Sequence, residues 1–265
     1  MTSQPGAPAS PFGARLRQWR HHRRLSQLAL AAVTSTTARH ISFLETGRSR
    51  PSRQMVLRLA EALDVNPRDA NELLYAAGLP AAYPHAELAS PDLAPYRTAI
   101  TRLLAAHEPY PAMVLDRRYT VLLANRACAT LFGPGVTGSN FVTDALADPA
   151  TAQMIVNWPE VAWAGLDRLR ENAKRTPFDP GLQALIGRAE TALAGVPRPQ
   201  PAEAGLIVCP WFRIGGHTVR TIALTARFDH AADVTLDELR AELIYPLDEQ
   251  ADRFFRSHDG GGTGG

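Results

Sequence analysis

The sequence has few features that would place it in a membrane or in an oxidising compartment. Among its 265 residues, no apolar run approaches the ~20 residues of a membrane-spanning helix, and the N-terminus MTSQPGAPAS lacks the apolar core of a signal peptide. Two cysteines, Cys128 and Cys209, form no CxxC pair, so they indicate neither a disulfide framework nor a zinc site. We expect a cytoplasmic protein with no membrane partner, metal or cofactor, in which both cysteines are small packing residues.

Signatures of common enzyme classes are also missing. The nucleophile pattern GxSxG, the P-loop and the zinc pattern HExxH do not occur. The carboxylates after residue 60 are spread through predicted helices without a clear catalytic pair. We therefore predict no catalytic residue and do not expect an enzyme.

Acidic residues are scarce at the start of the chain, and this polarises its charge. Residues 1–60 contain ten arginines and a single acid, Glu45, for a net charge of +9. The remaining residues hold 18 basic and 25 acidic side chains, a net charge of −7, although the whole chain is only +2. A basic segment of this kind indicates a polyanionic partner, although arginines such as Arg15 and Arg23 could equally form a solvated surface.

Residues 27–47 predict two short helices around a tight turn. Ser26 and Thr37 directly precede the two helical runs. Their hydroxyl groups can accept hydrogen bonds from backbone amides that have no partner inside a helix. Gly47 can end the second helix in a left-handed conformation.

The second of these helices has two different faces. Ile41 and Leu44 lie three positions apart and mark the face that is expected to be buried. The opposite face, around Arg39, Ser42 and Phe43, is then free to point outward. A helix of this length fits the major groove of DNA.

These residues resemble, in order and spacing, the lambda-repressor-like, XRE-type helix-turn-helix domain over residues 12–79. SQLALA at 26–31 matches the opening of its second helix, STTARHISFLETG at 35–47 its recognition helix, and RPS at 50–52 its exit. The resemblance implies an all-α, five-helix domain that binds double-stranded DNA.

The resemblance also implies roles for individual residues. Arg39 occupies a position that reads bases, and arginine can donate two hydrogen bonds to guanine O6 and N7, while Ala38 and Phe43 could touch a thymine methyl group. Residues at the start of the second helix and after the recognition helix match places that grip phosphates. The predicted DNA-binding residues are Gln27, Thr37, Ala38, Arg39, His40, Ser42, Phe43, Arg48, Ser49 and Arg50.

Glu45 is expected to have a structural role. A lone carboxylate among ten arginines would weaken DNA binding if it faced the duplex. In the family that this segment resembles, the matching residue pairs with an arginine of the first helix, which here is Arg20. We therefore assign both residues to the fold.

Glycine and proline residues divide the rest of the chain. Gly78-Leu79-Pro80 ends a fifth helix, and residues 80–94 are predicted to be a proline-rich linker of limited flexibility. A second domain is expected over residues 95–256. The glycine-rich tail, residues 257–265, is predicted to be disordered from its composition.

The second domain shows both helical and strand patterns, which predict an α+β fold with a small antiparallel sheet. Two short strands are predicted around Asp116-Arg117-Arg118, and a hairpin is predicted around Gly215-Gly216. Thr235 can cap a closing helix. The remaining helices are predicted over 96–107, from Asn125, after Pro149, from Trp158 toward Lys174, and over 181–194.

This region is similar to the MmyB-like regulator ligand-binding domain, a PAS-like fold, over about residues 95–230. The segments that carry the resemblance are PAMVLDRRYTVLLANRACATLFG at 111–133, NF at 140–141, DPATAQMIVNWPEVAWAGLDRLR at 148–170 and PFDPGLQALIGR at 177–188. The resemblance implies a sensor of a small apolar ligand, with a fatty acyl chain as the leading candidate.

Apolar residues of this domain could line a cavity between sheet and helices, although such residues could equally form a filled core. Asn125 and Arg170 could supply polar contacts, the latter by holding a carboxylate with two hydrogen bonds, but Asn125 could instead cap a helix and Arg170 could lie in solvent. The predicted ligand-binding residues are Val114, Leu122, Asn125, Phe132, Phe141, Met154, Ile155, Trp158, Trp163, Leu166, Arg170, Ile222 and Leu224.

The two halves together predict a one-component transcription regulator. It would bind a palindromic operator as a homodimer, because a symmetric dimer meets two equivalent half-sites. A ligand in the second domain would modulate operator binding, and the sequence leaves open whether the protein represses or activates. The alternative is that the second domain is a ligand-free dimerisation or protein-interaction platform, which a filled core would favour over a cavity.

Overall fold

The computed structural model of the chain describes residues 10–140, 142–143, 149–200, 208–229 and 231–258. In the first domain, side-chain caps mark where the helices begin. The first domain contains α1 (Pro11–His22), α2 (Gln27–Val33), α3 (Ala38–Glu45), α4 (Arg53–Ala62) and α5 (Pro67–Ala76). Ser10, Ser26, Thr37, Ser52 and Asn66 cap these helices in that order, each accepting a hydrogen bond from a backbone amide. The predicted caps Ser26 and Thr37 are confirmed.

The ends of α3 and α5 are followed by glycines in the left-handed region. Gly47 has φ 75° and Gly78 has φ 74°, a conformation that costs glycine little and other residues more. The predicted role of Gly47 at the end of the recognition helix is therefore confirmed.

The core of the first domain is filled by apolar side chains from all five helices, with Leu16, Leu30, Ile41 and Leu44 fully buried. Helices α1 and α3 approach closely at Gly13. A Cβ atom at this position would lie 2.5 Å from the carbonyl oxygen of Glu45. Only glycine allows this backbone contact, which holds the end of the recognition helix against α1.

The second domain alternates helices with short strands. The main division of the chain into two units falls between His85 and Ala86, and the short segments Arg175–Pro177 and Ala232–Val234 are grouped with the first unit. After a 3₁₀ turn (Pro91–Leu93), the helices are α6 (Ala94–Ala106), α7 (Arg126–Phe132), α8 (Pro149–Met154), α9 (Trp158–Arg175), α10 (Pro180–Ala192), α11 (Val234–Glu238) and α12 (Glu249–His258). The strands are β1 (Ala112–Leu115), β2 (Val121–Ala124), β3 (Trp211–Ile214), β4 (His217–Ala226) and β5 (Arg240–Pro246).

The strands form one antiparallel sheet in the order β2-β1-β5-β4-β3. Both predicted hairpins are present, with β1 paired to β2 and β3 paired to β4. Strand β5 joins them, because it pairs with β1 on one side and β4 on the other. The α+β fold class, with a helical first domain and a small antiparallel sheet in the second, is confirmed.

Strand β5 was missed by the sequence patterns, and the prediction for Thr235 is wrong. This residue lies inside the short helix α11, and its hydroxyl donates a hydrogen bond to the carbonyl oxygen of Ala86. The chain then enters the central strand, and the closing helix is α12, which reaches His258. Of the predicted tail, residues 259–265 lie outside the described residues.

The two faces of this sheet pack against different groups of residues. Because side chains alternate along a strand, Leu115 of β1 and Ile244 of β5 point toward α9 and α10, whereas Val114 and Leu243 point toward α6. No helix of the described chain is long and apolar enough to cross a membrane.

Candidate nucleic-acid interface and ligand cavity

The recognition helix α3 turns one side into the core and the other toward solvent. Ile41 and Leu44 are fully buried, as predicted. Arg39 is exposed, and Ser42 and Phe43 are partly exposed. The side chains on this outward surface are therefore available to enter a groove.

Glu45, at the end of α3, is held by three side chains of its own domain. Its Oε1 accepts a hydrogen bond from Arg20 Nε at 2.6 Å, and its Oε2 accepts bonds from Arg20 Nη2 at 3.0 Å and Arg17 Nε at 3.4 Å. Gln27 Nε2 also donates to Oε2, at 2.9 Å. The predicted pair of Arg20 and Glu45 is confirmed, and Gln27, predicted to contact phosphate, is directed toward this carboxylate.

The same contacts decide the charge of Glu45. Burial by itself would raise the pKa of this carboxyl group, but hydrogen bonds from Arg20 and Gln27, together with the positive charges of Arg20 and Arg17, lower the pKa overall below its ordinary value of 4.5. Glu45 is therefore ionised at neutral pH. It neutralises part of the basic surface from within the fold.

The arginines of the first 60 residues fall into two groups. In the described part of the domain, six bond to its own groups: Arg15, Arg17, Arg20, Arg23, Arg53 and Arg58. The guanidinium groups of Arg24, Arg39, Arg48 and Arg50 have no hydrogen-bond or ion-pair partner among the described residues. Three of these four belong to α3 or to the segment directly after it. The arginines that lack a hydrogen-bond or ion-pair partner among the described residues are therefore concentrated at the predicted DNA surface.

Phe43 organises this surface. The guanidinium carbons of Arg39 and Arg48 lie 5.2 Å and 5.9 Å from the centre of its ring, within the range of a cation–π contact. One aromatic ring thus holds a predicted base-reading arginine next to a predicted phosphate-binding arginine.

The remaining predicted DNA-binding residues surround the same helix. Thr37 uses its hydroxyl to cap α3, and Ala38 packs partly against the core. His40 and Ser49 are partly exposed. These positions are compatible with DNA contacts, which stay a prediction.

A cavity of about 440 Å³ lies in the second domain between the sheet and helix α9. Most of its lining is apolar and includes Leu115, Val136, Phe212 and Ile244. Small residues on α9 leave this space open. Gly165 lines the cavity, and a Cβ atom placed on it would have no neighbouring atom within 4 Å. The volume falls in the range of about 300–1,000 Å³ typical of small-molecule sites.

Two residues of the predicted ligand-binding set, Phe132 and Ile155, line the cavity. Phe141 lies outside the described residues. The other apolar members are not part of the described lining: Val114, Leu122, Met154, Trp158, Trp163, Leu166, Ile222 and Leu224.

Strand alternation explains several of these differences. Val114 and Leu122 belong to the cluster on the other face of the sheet, toward α6. On β4, Leu224 is 52% exposed, whereas its neighbour Ala223 lines the cavity. Successive residues of a strand point to opposite faces of the sheet, so a prediction that is wrong by one position selects residues of the other face.

The remaining differences lie on the helices. Leu166 is fully buried in the core beneath α9. Trp158 and Trp163 pack partly buried against that core, and Met154 is 37% exposed. These four side chains are therefore absent from the described lining.

The two predicted polar contacts are used elsewhere. Asn125 caps α7, and its Oδ1 accepts from the amides of Cys128 and Ala112 while its Nδ2 donates to two backbone carbonyls. Arg170 is half-exposed and pairs with Glu190 at 2.8 Å. It is absent from the described lining, so its role as the carboxylate-binding residue of the cavity stays a prediction, and its half-exposed position fits the alternative that it lies in solvent.

The charged residues of the described lining were missed by the sequence patterns. They are Arg168 of α9 and Glu242 of β5. The helical spacing of Val161, Gly165 and Arg168 was a usable signal for one wall, since these positions share a face. Glu242 could be found only after β5 had been recognised as a strand.

The search for enzyme signatures missed a glycine pattern that borders the cavity and has the form of a dinucleotide-binding signature. Residues 133–138, GPGVTG, fit GxGxxG. They follow helix α7, whereas the dinucleotide-binding signature links a strand to the start of a helix. The segment therefore lacks the context that would place a pyrophosphate at a helix N-terminus.

Cysteine and metal chemistry have little support in the described residues. Cys128 is buried in α7, and burial together with the nearby Glu108 raises the pKa of its thiol to about 12, so it is protonated at neutral pH. Cys209 is also buried, and its sulfur accepts a hydrogen bond from the amide of Ala223. No cluster of potential metal ligands occurs within the described ranges.

Comparison with known proteins agrees with both halves of this arrangement. The family model of the MmyB-like transcription regulator ligand binding domain matches residues 96–257, and a helix-turn-helix domain model matches residues 11–73. No curated protein matches the chain. The first match covers more than half of the 265 residues. The chain therefore belongs to the helix-turn-helix transcription regulators that carry an MmyB-like ligand-binding domain.

Proposed function

We propose that the protein binds a specific operator through α3 and that an apolar small molecule in the cavity modulates this binding. The observation that carries the DNA half is the group of three arginines, Arg39, Arg48 and Arg50, whose guanidinium groups have no hydrogen-bond or ion-pair partner among the described residues. Arginines whose N–H groups are not used within the fold can donate hydrogen bonds to phosphates and guanine edges.

Two substitutions separate base reading from phosphate binding. Arg39→Ala should weaken binding to the selected operator by about 1–3 kcal/mol and relax base preference at one position. Arg50→Ala should lower the affinity for all duplexes similarly. It should also reduce the slope of log K against log salt concentration by about one. Operator selection from a random duplex pool, followed by anisotropy titrations at several salt concentrations, measures both effects.

Arg253→Ala is the matched control, because it removes one exposed arginine from helix α12 of the second domain. It should leave both affinity and salt slope unchanged. Operator binding that survives both Arg39→Ala and Arg50→Ala would contradict the assignment of α3.

The ligand half of the proposal is supported by the size and lining of the cavity. A platform that only binds another protein would have no need for an unfilled space of about 440 Å³, whereas small-molecule sites are concave and mostly apolar. We propose a fatty-acyl-like ligand, because the lining offers apolar surface with charged groups confined to Arg168 and Glu242 among its described members.

Mass spectrometry of the molecules released by denaturing the purified protein tests this half. Recovery of a stoichiometric acyl compound supports a sensor and supplies the molecule for DNA-binding assays. A protein that releases nothing and binds no acyl compound in titrations would favour the alternative, a ligand-free dimerisation platform.

We also propose that the protein acts as a homodimer on two half-sites about one helical turn apart. A single recognition helix reads only a few base pairs, so pairing two copies doubles the sequence that is read. Ligand binding would then alter the placement of the two basic domains, with a coupling free energy of roughly 1–3 kcal/mol. Light scattering of the free protein should give the mass of a dimer, and the selected operator should contain an inverted repeat.

A further inference from the structure

The cavity contains a buried charge whose hydrogen-bonding capacity is largely unused. Glu242 lies on the central strand β5, and its side chain is 7% exposed. Two neighbours on the same face also line the cavity: Ile244, two residues further along β5, and Ala223, which pairs with Ile244 on β4. The carboxylate therefore belongs to the cavity wall.

The partners of this carboxylate are few. Its Oε1 accepts a hydrogen bond from the Thr225 hydroxyl at 3.0 Å, and Arg168 Nη1 lies 4.0 Å from the same oxygen. Among the described residues, no group donates a hydrogen bond to Oε2. An ionised carboxylate can accept about four hydrogen bonds, so Glu242 can still accept from a molecule in the cavity.

Arg168 faces this carboxylate from helix α9. Its side chain is 48% exposed, so the cavity reaches solvent beside it. Arg168 and Glu242 are the charged residues of the described lining. Their charges offset each other, and the polar end of the cavity presents a dipole in place of a net positive charge.

We propose that the cavity selects an acyl chain with a neutral head that donates a hydrogen bond, such as a carboxamide, over a free fatty carboxylate. The head donates to Glu242 Oε2, and its oxygen accepts from Arg168. A second carboxylate at this position would meet the like charge of Glu242. This inference rests on the proposed function of the cavity and names the chemistry of its ligand.

Competition binding on the full chain tests the proposal. The neutral fluorophore N-phenylnaphthylamine is bound first, and decanamide or decanoate is then titrated at neutral pH. The wild-type protein is expected to bind decanamide at least ~10-fold more tightly than decanoate, equivalent to about 1.4 kcal/mol. Equal binding, or tighter binding of decanoate, overturns the inference.

Glu242→Gln removes the charge and keeps a group that can accept from Thr225. Its affinity for decanoate should rise about 10-fold, roughly 1.4 kcal/mol, so that the preference disappears. Glu190→Gln is the matched control, because Glu190 is half-exposed and pairs with Arg170 away from the described lining. This control should keep the wild-type preference.

Arg168→Met provides a second variant that does not depend on Glu242→Gln being folded. Under the proposal, it weakens both compounds and keeps the preference for decanamide. Selective loss of decanoate binding would instead mean that Arg168 holds a carboxylate, and it would overturn the inference. If neither compound displaces the fluorophore and the fluorophore itself does not bind, the proposed ligand function fails as well, so the two failures are distinguishable.

Discussion

Glu45 in the first domain and Glu242 in the second are both buried carboxylates, yet their surroundings differ. Glu45 receives hydrogen bonds from three side chains on α1 and α2, and its side chain is fully buried. Glu242 receives one hydrogen bond and borders a space of about 440 Å³. The first arrangement fixes a recognition helix, whereas the second leaves polar capacity for a molecule that the chain itself does not supply.

The largest expected effect comes from breaking the arrangement in the first domain. Glu45→Ala leaves Arg20 buried without its partner, and we expect it to lower the free energy of unfolding of this domain by about 3–5 kcal/mol. Hydrogen exchange followed by mass spectrometry, on peptides that cover α2 and α3, reports this domain separately.

Glu72→Ala is the matched control for this substitution. Glu72 pairs with Arg15 at 3.2 Å, but the two side chains are 44% and 42% exposed. Its loss should cost less than about 1 kcal/mol. Equal losses in the two variants would contradict the structural role of Glu45.

Filling the cavity should have a different effect on the second domain. It should weaken ligand binding without lowering the stability of the domain. Gly165→Leu places a side chain in open space, so we expect the affinity for an apolar fluorophore to fall by roughly 100-fold, about 2.7 kcal/mol. The melting temperature should hold or rise, because glycine is a poor helix former.

Gly187→Leu makes the same change on α10, where a Cβ atom also has open space but does not line the described cavity. It should leave fluorophore binding unchanged. Equal binding by the two variants would mean that the fluorophore binds elsewhere.

A third buried carboxylate, Asp179, tests whether the solvent exposure of its arginine partners determines how much stability is lost when the carboxylate is removed. It pairs with Arg117 at 3.1 Å and Arg118 at 2.8 Å and accepts from the amide of Gly181 at the start of α10. Both arginines retain solvent contact, with side chains 20% and 43% exposed. Asp179→Ala should therefore cost about 1–3 kcal/mol, less than Glu45→Ala, as measured by exchange in peptides of α10.

Acid should weaken the first domain in a way that depends on Glu45. Its pKa is lowered in the folded state, so its stabilising contribution is complete above the unfolded value of 4.5 and is lost as the pH falls through the folded value. Calorimetric scans between neutral and acid pH should show a falling melting temperature for this domain below about pH 4.5. Glu45→Gln should reduce that dependence, and an unchanged pH profile would contradict the assignment.

The sequence predicted the first domain well because its signals are local. The caps Ser26 and Thr37, the terminator Gly47 and the buried pair Ile41 and Leu44 each act within a few residues of their position. The apolar period of α3 also distinguishes core from surface directly.

The second domain was predicted less completely because its cavity depends on strand pairing. In β5, Arg240 and Glu242 are polar residues on the inner face, so the alternation did not resemble an ordinary half-buried strand. Without β5, the sequence did not show which of the neighbouring residues Ala223 and Leu224 faces the cavity. The gap at Gly165 arises from packing between α9 and the sheet, which the sequence alone does not show.

The most direct test of the account is the operator affinity of the full chain with and without the molecule that it releases on denaturation. For the wild-type protein, we predict that the ligand changes operator affinity by roughly 5- to 150-fold, equivalent to about 1–3 kcal/mol of coupling. Gly165→Leu, with the cavity filled, should bind the operator with one affinity in both conditions. A wild-type protein whose operator affinity is the same with and without a saturating ligand would contradict a ligand-responsive regulator.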